Sequence, residues 1–299
     1  MSTPEIPKPG SNVWFITGTS SGFGLHLVNI ALDRGDYVIA SARDISTIAT
    51  LFPPSDRLKI MQLDVTQSAE SIGDLAKEAV SFWGRVDVLV NNAGWAELGF
   101  IEEVGADSFK RQMDVNFFGV VNVTLAFVPY MREARRGTIV QIGSRLAWYA
   151  ERPLGGVAMY SSSKAAVHAF SEALAAELKP FDVRTLILQP GGFLTRSVAL
   201  APFSNANPIS DYTDARFVAN TQRSDTTSMT KMYSGDPKKF MSFLADLVRG
   251  EGVARGKPFP LYVVCGPGSG DNVLRKCAIM ETAVREWAWM DEHLLLDGV

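Results

Sequence analysis

Short, near-continuous runs of Val, Ile and Leu recur at 13–17, 37–42, 58–63, 86–91, 138–142, 184–189 and 260–264. Runs of this length, without polar alternation, suit strands covered by helices on both faces. Between them lie stretches with helical spacing of apolar residues, at 23–33, 68–83, 108–132 and 159–178. Each is long enough to return the chain over a parallel sheet as a right-handed crossover. Gly35 and Gly84 fall where a helix C-terminus favours a left-handed residue. The alternation predicts a single α/β domain over 1–299, a Rossmann-type doubly wound sheet of seven mostly parallel strands flanked by helices. No internal repeat and no linker divides it.

The rhythm breaks at 197–257. This stretch carries Pro202, Asn205, Asn207 and Pro208, a Ser/Thr cluster at 224–230, and then an amphipathic helix at 237–249. It leaves a strand at the carboxyl edge of the sheet, where such folds bind ligands. It therefore reads as a substrate-covering segment, with Phe203, Tyr212, Phe217, Met229, Met232 and Tyr233 walling an apolar pocket.

Composition narrows the partners. A net charge of −3 offers no basic field for nucleic acid or an anionic membrane surface. No apolar run approaches the length of a bilayer span, and 1–12 lacks the apolar core of a signal peptide. Two cysteines, Cys265 and Cys277, are too few for a disulfide framework, so a cytoplasmic protein is expected. His26, His168 and His293 share no metal-ligand spacing, and no metal is expected. For His168, a packing or subunit-contact role is the default.

Chemistry enters through two local patterns. Thr17-Gly18-x-x-x-Gly22-x-Gly24 follows the first strand and opens the first helix. Glycines there permit a tight turn and close approach of backbone to a pyrophosphate, whose charge meets N–H groups at the helix start. Downstream, Tyr160 and Lys164 stand one helical turn apart and so share a face. A phenol with pKa near 10 is a poor base at neutral pH. A cation at ~4 Å under an effective dielectric of ~20 contributes roughly 4 kcal/mol, enough to draw the phenol about three units down before desolvation opposes it. The pair is thus expected to give Tyr160 a lowered pKa suited to general acid/base work.

These motifs do not stand alone. Asp64 follows the third strand, Asn91-Asn92-Ala93-Gly94 the fourth, Asn116 sits in a long helix, and Ser144 follows the fifth strand. Tyr160-x-x-x-Lys164 and Pro190-Gly191-x-x-x-Thr195 complete the series. In this order the chain resembles the short-chain dehydrogenase/reductase family, in its one-domain oxidoreductase branch, from about Val13 to Thr195. The resemblance implies a catalytic tetrad of Asn116, Ser144, Tyr160 and Lys164, with Ser144 bonding the substrate oxygen and Asn116 serving a proton relay. It implies a dinucleotide held by Gly18, Ser20, Ser21, Gly22, Phe23 and Gly24. Asp64 and Val65 would meet the adenine, and Asn92, Ala93 and Gly94 the adenosine side. Tyr160, Lys164, Pro190, Gly191, Phe193 and Thr195 would hold the nicotinamide half. Members usually associate through the helices carrying Tyr160 and Asn116, and Ala165, Ala166, Ala169, Phe170, Ala173 and Leu174 suit close packing, so a homodimer or homotetramer is implied.

The second strand ends Ala40-Ser41-Ala42-Arg43 without an acid at its tip. A 2′-phosphate needs a cation there, whereas a 2′-hydroxyl calls for a carboxylate. Arg43 therefore points to NADP(H), although Asp44 follows directly. Two departures from the family pattern stand out. Gly143 precedes Ser144 where a second serine is usual, and Ser144 and Tyr160 are 16 positions apart, about three more than is typical. The additional residues, within 145–157, include Trp148, Tyr149, Arg152 and Pro153. Arg145 is read as a solvated surface residue rather than an anion partner.

Together these features imply an NADP-dependent oxidoreductase on a secondary alcohol/carbonyl pair, a carbonyl reductase of a fairly apolar small molecule. A non-catalytic NADP-sensing regulator and an NAD-dependent alcohol dehydrogenase are the alternatives. The segment 285–299, with Trp287, Trp289 and three consecutive leucines, caps either the pocket or a neighbouring subunit.

Overall fold

The structure, a computed structural model, describes residues 7–149, 155–193, 195, 201, 203–224 and 233–296. Met229, Met232, Pro202, Arg152, Pro153 and most of the Ser/Thr cluster lie outside the described residues.

Seven strands form one sheet in the order β3-β2-β1-β4-β5-β6-β7. They are β1 (Val13–Thr17), β2 (Tyr37–Ala42), β3 (Leu58–Gln62), β4 (Val88–Asn91), β5 (Gly137–Ile142), β6 (Val183–Pro190) and β7 (Tyr262–Cys265). Every pairing is parallel, so the sheet is wholly rather than mostly so. The helices are α1 (Gly22–Asp33), α2 (Ala69–Trp83), α3 (Ile101–Met113), α4 (Gly119–Glu133), α5 (Ala158–Leu178), α6 (Thr213–Ser224), α7 (Pro237–Arg249) and α8 (Ser269–Trp287).

Side chains of a strand point alternately to the two faces, so both can be apolar only if both are covered. Trp14 and Ile16 join the core under α1 and α7, while Val13 and Phe15 join the core under α2, α4 and α5. All four are fully buried. The helices start and stop on sequence cues. Ser68 accepts from Ser71 N at the start of α2, which Gly84 ends at φ 73°. Asp236 accepts from Lys238 N and Lys239 N before Pro237, and Gly250 ends α7 at φ 65°.

Three elements differ from the sequence reading. The helix expected at 108–132 begins at Ile101 and is broken by a π turn over Asp114–Phe118. Gly105, at φ 68° inside α3, hid that earlier start. The continuous stretch Ile101–Glu133 also holds an 18-residue window of mean hydropathy 1.2, apolar enough by length and composition to cross a bilayer, where none was expected. Here α4 packs on β4, β5 and α2. Second, α7 is no cover: Phe240, Met241, Leu244 and Val248 are buried in the core against α1. Third, α8 was not foreseen. Its first turns lean on β7 and the 145–147 turn, with Arg275 over the Tyr149 ring at 4.7 Å, and Cys277 through Trp289 are exposed.

Candidate active site

The carboxyl ends of β1, β4, β5 and β6 open onto a cleft of about 1370 Å³. Of the tetrad and cofactor residues proposed from sequence, all but Gly24 and Asn116 line it. Those two lie just behind its wall. A Cβ on Gly24 would stand 2.4 Å from Gly18 O and 2.7 Å from Asn92 Nδ2, so only glycine lets α1 start this close to the strand ends. Gly18 itself needs φ 69°.

The first turn of α1 faces this cleft through Ser20, Ser21 and Gly22, and the N-cap Ser21 makes no side-chain capping bond. An uncapped helix start is a natural anion seat. The neighbouring wall is pinned by Asn92, whose Nδ2 donates to Thr17 O (2.8 Å) and Gly18 O (2.9 Å). Thr17 Oγ1 accepts from Asn92 N and Ala93 N at 3.0 and 2.9 Å. Thr17 was not singled out from sequence, although it heads the glycine motif. Asp64 is turned into its own loop, accepting from Thr66 N and Thr66 Oγ1.

At the other end of the cleft, three residues of α5 converge on the end of β5. Tyr160 and Ser144 both line the cleft there, and the Ser144 hydroxyl favours the ionised form of the phenol. Lys164, 4% exposed, donates from Nζ to Ile142 O at 2.7 Å. One turn on, His168 Nε2 accepts from Ser144 N at 3.4 Å. Asn116 sits in the π turn and is fully buried. Its Oδ1 accepts from Trp95 N (3.1 Å), and its Nδ2 donates to Trp95 O (2.9 Å) and Ser163 Oγ (3.1 Å). Ser163 in turn donates to Tyr160 O. The extra residue of the π turn thus ties the α3–α4 layer to the helix bearing Tyr160.

The expected drop in the Tyr160 pKa is not what this geometry produces. Burial pushes the phenol above its ordinary value, the Ser144 hydroxyl nearby works against that, and Tyr233 adds to it. Lys164 spends its ammonium on Ile142 O and stands 6.0 Å from the phenol ring centroid. Its own pKa is pulled down to about 8 by burial, which weakens it further as a source of positive charge. A protonated phenol beside a hydroxyl donor is set to give a proton to an oxygen.

The substrate end is walled by Leu98, Val157, Ala201, Phe203, Ala219 and Tyr233. Two predicted walls are elsewhere. Phe217 is 72% exposed, and Tyr212 stacks on Phe100 outside the cleft. Trp95, not foreseen, lines the cleft and keeps its Nε1 buried without a partner. Arg145 is not a solvated arginine; it lines the cleft and donates to Pro267 O at 2.9 Å. No described residue of α8 or of 288–296 lines the cleft. On α5, Leu174 faces the core, leaving Ala165, Ala169 and Ala173 on the exposed side.

Fold and site together are those of a nicotinamide-dependent oxidoreductase. A family model described as short chain dehydrogenase matches residues 12–202, and the chain belongs to that family. An oxidoreductase of Botryotinia fuckeliana is 37% identical over 187 residues, 62% of this chain and 67% of that one. The 3-ketodihydrosphingosine reductase of Bacteroides thetaiotaomicron is 39% identical over 189 residues, 60% of this chain and 63% of that one. The chain thus spans roughly two thirds of these relatives' length. Among solved structures, a short-chain dehydrogenase from Streptomyces avermitilis superposes with a TM-score of 0.79 at 29% identity, covering 96% of this chain and 100% of that one. A Burkholderia phymatum member in complex with NAD, at 22% identity and TM-score 0.72, covers 91% of this chain and 95% of that one, and shows the fold alone.

Proposed function

We propose that this chain is an NADP(H)-dependent oxidoreductase that interconverts a secondary alcohol and a ketone or aldehyde, working as a carbonyl reductase on a fairly apolar small molecule. The observation that carries this reading is the meeting of Ser144, Tyr160 and Lys164 in one cleft that also takes in an uncapped helix start. When bound, the nicotinamide supplies or accepts the hydride. The residues present fit such a group: Ser20, Ser21 and Gly22 at the start of α1 for the diphosphate, Arg43 at the rim, and Lys164 and Thr195 near the reacting end.

In the reductive direction Tyr160 gives its proton to the carbonyl oxygen, and Ser144 donates a hydrogen bond to the same oxygen. Burial keeps the phenol protonated at neutral pH, which favours its use as an acid. Lys164 holds the ribose and Asn116 keeps the helix of Tyr160 in place through Ser163. The apolar walls Leu98, Val157, Phe203 and Ala219 suit a substrate with hydrocarbon bulk next to its oxygen. A relative named for reducing a ketone, 3-ketodihydrosphingosine reductase, supports the direction. The exposed alanines of α5 and exposed Phe118 and Leu125 of the neighbouring layer support association as a homodimer or homotetramer.

The test is loss of NADPH absorbance with a panel of apolar ketones and aldehydes. Turnover is expected with some member of the panel, and Tyr160→Phe should lower it by roughly a thousandfold while NADPH affinity stays within about twofold. Tight NADPH binding without turnover of any carbonyl would replace this reading with that of a cofactor-sensing regulator.

A further inference from the structure

The face of α5 that bears Tyr160 and Lys164 continues one turn further to His168, and the three grip one short segment of chain. Tyr160 lines the cleft beside Ser144, Lys164 Nζ donates to Ile142 O at 2.7 Å, and His168 Nε2 accepts from Ser144 N at 3.4 Å. The segment between these holds is Gly143. A Cβ built there would lie 2.3 Å from His168 Nε2, a distance no pair of atoms tolerates, and 3.3 Å from Ile187 Cγ2. Gly143 has no positive φ, so its backbone does not ask for glycine; only the imidazole does.

We infer that His168 is a positioning residue for Ser144, and that Gly143 is the matching recess that admits its ring against the strand end. This deepens the reading of the site as a carbonyl reductase and rests on it for its catalytic consequence. The ring is fixed from several sides. Trp148 lies at 6.3 Å between centroids and Tyr262 of β7 meets it edge-on at 5.9 Å. Trp148 is itself held by a hydrogen bond from its Nε1 to Gln189 Oε1 at 3.0 Å. With Nε2 accepting, the ring proton resides on Nδ1. His168 is 5% exposed, so the bond is sheltered from water.

The consequence for Ser144 is geometric. Its carbonyl accepts from Ala147 N and its Oγ accepts from Leu146 N at 3.1 Å, both within its own turn. The bond from its N–H to His168 is its main-chain tie to α5. Without that bond Ser144 N loses its partner on α5, and the turn after β5 is held less firmly against the helix that bears Tyr160. A hydroxyl displaced by a fraction of an ångström loses much of its value to a developing oxyanion. The pattern extends the familiar pair to Tyr160-x-x-x-Lys164-x-x-x-His168, coupled to glycine immediately before the serine.

Two measurements on the full chain test this. In turnover at saturating NADPH, His168→Leu should lower kcat about tenfold with NADPH affinity within about twofold, whereas His168→Gln, whose amide oxygen can accept the same N–H, should keep most of the rate. In thermal unfolding, Gly143→Ser should destabilise the chain, and adding His168→Ala to it should recover stability by about 3 °C or more rather than lower it further. Equal rates for the Leu and Gln variants, or strictly additive melting shifts, overturn the inference. If wild-type protein turns over no carbonyl, the function proposed above fails, while the melting cycle still decides whether Gly143 and His168 are partners.

Discussion

At the scale of single residues, cofactor choice rests on which of two neighbours is available to the cleft. Arg43 lines it, and its carbonyl accepts from Gln62 Nε2 at 2.9 Å. Asp44 is outside the lining and is occupied as a helix cap, accepting from Ser46 N at 2.9 Å; the Ser46 side chain first, and then this N–H, hold its carboxyl below the ordinary range. A carboxylate committed to a backbone N–H is poorly placed to bind a ribose hydroxyl, whereas a guanidinium at the rim suits a 2′-phosphate. Arg43→Asp should therefore shift the ratio of kcat/KM for NADPH over NADH by roughly a hundredfold toward NADH, the worth of one or two charge-assisted hydrogen bonds. Steady-state rates with both cofactors on one carbonyl decide it. An unchanged ratio removes Arg43 from the site.

At the scale of elements, the sheet was legible and the cover was not. Strands such as Val13–Thr17 and Tyr37–Ala42 announced themselves because burial on both faces leaves little room for polar positions. α7 was legible in its bounds, from Asp236 and Pro237 to Gly250, but its role was misread, since an amphipathic pattern does not say which surface it meets. α3 was missed because Gly105 interrupts it, and α8 because its solvent-exposed turns carry no core periodicity. The buried carboxylate of Asp36 shows what joins these pieces. It accepts from Trp14 Nε1 on β1 (2.8 Å), from Asn12 N (2.9 Å) and from Arg249 Nη1 at the end of α7 (2.6 Å). Fully buried, it satisfies three donors from two layers. Asp36→Ala leaves Trp14 Nε1 and Asn12 N without their acceptor and leaves Arg249 with Glu251 alone, and should lower stability by about 3 kcal/mol, read as a fall in the urea midpoint at unchanged slope. Activity per folded molecule should be unaffected, because this cluster lies at the opposite edge of the sheet from the cleft.

At the scale of the whole molecule, the cleft is assembled from parts far apart in sequence: turns after β1, β4, β5 and β6, then 203–219 folded against 98–103. Ser204 N donates to Leu98 O, and the buried Glu103 pairs with Arg216 of α6. The four residues expected for the tetrad could be named from sequence because each sits in a short local pattern, and three of them line one cleft. The cover was not, because its placement depends on such long-range pairs. His168 makes this long-range design measurable through pH. Its ring faces Lys164 on its own helix, Ser144 N, Trp148, and Tyr262, whose hydroxyl donates to Glu172. Burial, assisted by the Lys164 charge, pulls its pKa from 6.5 to about 4. Since the folded state binds the proton less readily than the unfolded chain, stability is full above the unfolded value and falls as pH drops from 6.5 toward 4. The loss from this group amounts to about 3 kcal/mol across that window. The carboxyls with lowered pKa, Asp44 and Asp236, act only below their model-compound value of 3.8 and so do not mask it. Urea unfolding at a series of pH values should show the decline in wild-type protein and a much flatter profile in His168→Gln. Parallel profiles for the two would mean that the imidazole is protonated without cost, and that its hold on Ser144 N is not the one described.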